Sequence, residues 1–150
     1  MSENDEEQKL FTLGEAERTR AELEPVLIEA METRKKMAEL ESQIFALTEH
    51  IMRQGGVMIP YERAATTRLE RDRVAATLQA SLERIQATGC VVKDLDVGLL
   101  DFPARMHGEP VYLCWRLGED RIRFYHRQNE GFAGRKPIDP RDSGYKSPIQ

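Results

Sequence analysis

Six arginines and no lysine fall between residues 98 and 135. A guanidinium presents a planar fork of donors that matches carboxylates and phosphates, so this bias points toward planar recognition of anions. Arg116, Arg121 and Arg123 are the members that strand alternation brings closest together, with Asp101 beside them and Asp94 and Asp96 in the preceding turn. Two chemistries compete for this set. The carboxylates of Asp94, Asp96 and Asp101 can neutralise the arginines through bidentate ion pairs, or the arginines can face outward as a site for an anion or a phosphorylated ligand. A third use of the same aspartates is a hard-cation site, Asp94, Asp96 and Asp101, with His126 as a nitrogen donor. His126 also reads as a buried side chain that hydrogen-bonds a backbone group.

Cys114 falls beside Asp101 and Arg123 in the same reading, but no histidine base adjoins it. A nucleophilic thiol lacks its usual activating partner there, and the residue reads as a small packing group. The run Gly131-Phe132-Ala133-Gly134-Arg135 places two glycines around one aromatic residue. Phe132 can plug a sheet edge, and Arg135 can be aimed toward His126 or Glu130. No serine triad, glycine-rich phosphate loop or paired zinc-ligand motif is visible, and no visible motif requires a cofactor.

The elements that would position these residues are legible from periodicity. Residues 90–92 form a short strand entering a turn, and strands are expected over 99–105, 111–117 and 121–127. Tight turns at His107-Gly108 and Gly118-Glu119 join the last three. Pairing Met106 with Glu109 and Leu117 with Asp120 fixes a register. One face then holds Leu100, Trp115 and Ile122, then Phe102, Leu113 and Phe124, then Ala104, Val111 and His126. The other face holds Arg116 opposite Arg121, with Asp101, Cys114 and Arg123 in the next row, a polar face set against an apolar one.

Upstream, Thr12 and Glu15 have capping-box spacing, and apolar residues recur at three- and four-residue steps from Leu13 to about Gln54. Pro25 predicts a kink or break, and Gly55-Gly56 a helix end. A second helix is expected from Pro60 to Thr88, antiparallel to the first. The predicted fold is therefore α+β: a long antiparallel two-helix hairpin over residues 11–89, followed by a small antiparallel meander over 90–138 in the same domain. Residues 1–10 read as disordered and 139–150 as an extended tail. The first helix would project beyond a compact domain, and apolar positions off its main stripe suggest a coiled-coil-like pairing of two hairpins into a homodimer.

The formal net charge is −4, with 13 acids against 7 bases in residues 1–54 and 7 against 9 in residues 98–150. That lacks the concentrated positive field of a nucleic-acid binder. The acidic start and the absence of a long apolar run argue against an export signal or a membrane span. Two isolated cysteines fit a reduced, cytoplasmic setting.

The residues also resemble a known bacterial family, the domain of unknown function 2203. The likeness is carried by Phe11-Thr12-Leu13, Val92-Lys93-Asp94, the run from Gly98 to Arg105, Leu113 to Glu119, and Gly131 to Arg135. It spans about residues 11–138. The resemblance implies a small cytosolic protein and supplies no activity and no catalytic residues. Two functional expectations stand side by side: a non-enzymatic protein that self-associates or binds a partner through its hairpin, and a ligand- or metal-binding domain, hydrolytic in one version, that uses the Arg/Asp face and Arg135.

Overall fold

The computed structural model describes residues 8–54 and 58–139. Helix α1 spans Leu13–Gln54 and α2 spans Met58–Ala87, forming an antiparallel hairpin. Five strands follow: β1 Val91–Asp94, β2 Leu99–Met106, β3 Glu109–Arg116, β4 Phe124–Arg127 and β5 Lys136–Pro137. They form one antiparallel meander in the order β1-β2-β3-β4-β5. The α+β architecture is the one the sequence predicts. Most of the expected disordered start and of the extended tail, like the Gly55-Gly56 helix end, lies outside the described residues.

The chain divides into two compact units. One joins the chain up to Leu27 with the chain from Glu83; the other is Ile28–Leu82. The first unit is built around the sheet. Helix α1 starts where Thr12 accepts a bond from the Glu15 backbone N–H at 3.1 Å, while its hydroxyl donates to the Glu15 carboxylate. Pro25 does not interrupt the helix. It is exposed, so water can satisfy the carbonyl that its missing N–H leaves without a partner.

One face of the sheet carries Leu100 opposite Trp115, Phe102 opposite Leu113 and Ala104 opposite Val111, all buried. The start of α1 lies against this face. Phe11 meets Phe102 edge-on with centroids 5.4 Å apart, and the Phe11 N–H donates to the Pro103 carbonyl at 2.8 Å. Arg20 stands over the Trp115 ring, and the Ile122 N–H donates to the Glu17 carboxylate.

The β2–β3 register matches the expectation, and its turn shows why. His107 has φ 51° and Gly108 φ 77°, the pair of left-handed residues that a two-residue hairpin requires. The β3–β4 register departs from the expectation by one residue. Tyr112 pairs with His126 and Cys114 with Phe124, where Val111 was expected opposite His126 and Leu113 opposite Phe124. The cause is Glu119. Its carboxylate accepts the Arg116 N–H at 2.7 Å, and its carbonyl accepts the Trp115 indole N–H at 3.0 Å. These bonds withdraw Arg116 from pairing with β4. Residues 117–123 become a loop, and the shift of one turns His126 and Phe124 onto the opposite face.

We expect Phe11→Ala to destabilise the protein by about 3 kcal/mol, within the range for removing a buried phenyl ring. Thr12→Ala should cost about 1 kcal/mol through the lost cap. Denaturant unfolding followed by the fluorescence of Trp115, the single tryptophan and a buried one, measures both.

Candidate functional site

The second face of the sheet was expected to be polar, its charges either paired with one another or facing a ligand. Leu99, Asp101 and Cys114 are buried on it, and His126 joins them there. Asp101 lies opposite Cys114, and Tyr112 opposite His126 in the adjoining row. The expectation that His126 faces away from Asp101 is corrected by the shifted register. His126 Nε2 lies 3.1 Å from both carboxylate oxygens of Asp101. Its Nδ1 lies 2.8 Å from the Arg127 carbonyl. A carbonyl can only accept, so Nδ1 carries the hydrogen. The ring is further held by Tyr112, whose centroid is 5.4 Å away.

Asp101 is 1% exposed and His126 2%. Burial pushes the Asp101 carboxyl above its usual range, and the charge and hydrogen bond of His126 oppose that shift. Burial also raises the Cys114 thiol, to about 11, with the Asp101 charge adding to the rise and Arg135 opposing it. Cys90, the other buried thiol, is pushed up for the same two reasons, burial first and Asp101 second. The donor atoms of Asp101, Cys114 and His126 all lie within 4.8 Å of one another. This grouping is a buried O, S and N set on three strands.

Arg135 closes over it. Strand β5 pairs with β4, and just before it a single 3-10 turn, Phe132–Gly134, brings the guanidinium back across the sheet. The side chain lies 4.0 Å from the Phe124 ring centroid and 4.3 Å from that of Phe132. It is held by Glu119 at 3.1 and 2.9 Å, with Nη1 3.9 Å from Cys114 Sγ. Arg135 was expected near His126 or Glu130; its partners are instead Glu119 and Cys114, and Glu130 is taken by Lys136.

The other candidates separate. Arg121 and Arg123 line a groove of 470 Å³ with Leu13, Glu17 and Ile138. Arg123 is paired with Asp120 at 2.9 and 2.8 Å, so an ion pair has taken the guanidinium proposed for anion binding. Arg116 lies with Asp94 and Phe132 in a separate hollow. Asp94 accepts the Asp96 backbone N–H at 2.9 Å, and both residues are exposed while Asp101 is buried. The hard-cation set Asp94, Asp96 and Asp101 is therefore not assembled: turn geometry turns the first two toward solvent. Arg116 and Arg121 are not cross-strand neighbours, because residues 117–123 are loop.

The stretches from Gly98 to Asp101, Leu113 to Glu119 and Gly131 to Arg135 contribute to this face together with Tyr112 and β4, which carries Phe124 and His126. The family model described as "Uncharacterized conserved protein (DUF2203)" matches residues 9–138. The chain belongs to the DUF2203 family. No curated protein and no solved structure matches it. In this DUF2203 chain, reading along the sequence missed the grouping of His126 with Asp101 and Cys114, because the imidazole joins the other two only in the shifted register. The available signal was Trp115: a buried indole needs an acceptor, and it finds one in the Glu119 carbonyl of the loop that follows.

Two outcomes check this description. Glu119→Ala leaves Arg135 and the Arg116 N–H without their acceptor and should cost about 2 kcal/mol in unfolding free energy. The Asp120 carboxyl, held down to about 2 chiefly by its hydrogen bond from Arg123, should return to the ordinary aspartate range in Arg123→Gln. The sign follows from the lowered value: the pairing contributes above the ordinary pKa and is lost as pH falls toward 2. Carboxyl NMR titration reads it directly.

Proposed function

We propose that this DUF2203 protein works by self-association, two copies pairing their helical hairpins into a four-helix bundle with coiled-coil packing. The observation that supports this reading is the thin core of the Ile28–Leu82 unit. Among its described residues the buried ones are Ala30, Leu40, Ala64, Thr67 and Ser81, and Leu40 alone is large and apolar. Helices draw most of their stability from packing an apolar face, and this unit has little of its own to pack.

The apolar groups are on the outside. Phe45 is 67% exposed and Met52 81%, two turns apart on one face of α1. Tyr61 and Leu69 are exposed on α2 at 62% and 60%, again about two turns apart. Within the hairpin the polar contacts are peripheral: Lys36 with Glu70 at 3.6 Å, both about half exposed, and Arg68 with Thr48 at 3.5 Å. Exposed ion pairs of this kind contribute little. A second copy is self-complementary under two-fold symmetry and covers both stripes at once.

No helix among the described residues is long and apolar enough to cross a membrane, so these apolar positions do not form a membrane span. Both cysteines are free thiols, which suits a reducing, cytoplasmic compartment. Arg135 is engaged by Glu119 and Arg123 by Asp120, which does not favour nucleic acid as the partner.

Light scattering across a concentration series should give twice the 17.2 kDa chain mass, and Phe45→Glu combined with Leu69→Glu should weaken the dimer by tenfold or more, roughly what interface hot spots carry. A monomer at every concentration would contradict the reading.

A further inference from the structure

The Asp101, Cys114 and His126 cluster carries an inference independent of self-association. Its starting point is hydrogen bookkeeping. The bond to the Arg127 carbonyl places a hydrogen on Nδ1, so the Nε2 of a neutral ring offers a lone pair. That lone pair faces two carboxylate oxygens at 3.1 Å, in a place removed from water. Acceptor against acceptor is repulsive, so something positive belongs between them: a proton or a metal ion. A ligating histidine has this same arrangement, its far nitrogen donating to a backbone carbonyl and its near nitrogen free to bind.

The Cys114 thiol meets Asp101 and Arg135 rather than the imidazole, so these contacts do not form the thiol–imidazole pair that activates a nucleophile. We propose that Asp101, Cys114 and His126 bind one divalent transition-metal ion of the zinc class, through a carboxylate oxygen, Sγ and Nε2.

Three features support the ion and its class. The donors lie within 4.8 Å of one another, and a tetrahedral centre with bonds of about 2.0–2.3 Å separates its ligand atoms by roughly 3.3–3.8 Å. The cluster therefore needs only small side-chain adjustments to close on an ion. The donor types are one nitrogen, one sulfur and one oxygen, a set suited to zinc, cobalt or ferrous iron and poorly suited to calcium or magnesium. Charge also balances: one carboxylate and one thiolate neutralise a dication, which removes the cost of a net buried charge. Arg135, 3.9 Å from Sγ, favours the thiolate form of Cys114. Three protein ligands leave a fourth position for water or a small anion.

The test uses the untagged full chain, stripped with a chelator and titrated with Co²⁺ as a spectroscopic probe and Zn²⁺ as a competitor. We expect one equivalent of Co²⁺ to bind with a thiolate-to-metal charge-transfer band, and Zn²⁺ to displace it. Cys114→Ser should abolish the band, and His126→Gln and Asp101→Asn should weaken binding by at least about tenfold. Cys90→Ser and His50→Gln should change nothing. The buried Trp115 reports whether each variant is folded; should one fail to fold, the band in the unaltered chain and its loss in Cys114→Ser still decide. No stoichiometric Co²⁺ binding, or a spectrum that keeps its thiolate band in Cys114→Ser, overturns the proposal.

Discussion

A carboxylate that is 1% exposed must be met by donors or by a cation, and that requirement organises the sheet. Asp101 receives Cys114 from directly across β3 and His126 diagonally from β4. Both can reach it only in the observed register. With β4 slipped by one residue, the imidazole would stand among Leu113 and Val111, and Asp101 would lose its closest polar neighbour. An unpaired carboxylate at that depth would be strongly destabilising. The loop held by Glu119 is therefore as much a part of the site as the residues that line it. Its bonds to Arg116, Trp115 and Arg135 set the strand offset and hold the guanidinium over Cys114 at once.

The sequence was readable where side chains act through their period and unreadable where one side chain acts on the backbone. The helices, the Thr12 start and the β2–β3 hairpin follow from spacing and from the left-handed turn residues at 107 and 108. The β3–β4 offset does not, because Gly118-Glu119 looks like a second tight turn and nothing in the alternation announces that Glu119 will cap Arg116. The misreading was reinforced by composition. Arg121 and Arg123 both lie in the loop, yet their charge makes the odd positions look solvent-facing. That placed Ile122, Phe124 and His126 together on an apolar face, although Phe124 stacks with Arg135 on the other one. A sheet buried on both faces offers no clean polar side for such alternation to detect.

The two compact units illustrate opposite ways of handling apolar surface. The sheet unit has aromatic and aliphatic side chains on one face and a buried polar cluster beneath Arg135 on the other. The hairpin unit buries mostly small residues and keeps Phe45 and Met52 outside. Small buried residues let two helices approach closely, and the large groups stand exposed, the surface that the proposed self-association would cover. The family relationship covers both units and contributes the chain's membership; the chemistry rests on the side chains themselves.

The central claim is that His126 is pinned through Nδ1–H to the Arg127 carbonyl and presents Nε2 to Asp101. Long-range ¹H–¹⁵N correlation spectroscopy of the histidine ring tests this most directly, since it reports which nitrogen holds a hydrogen. The account requires a protonated Nδ1 for His126. A neutral ring with hydrogen on Nε2 and a bare Nδ1 would contradict it.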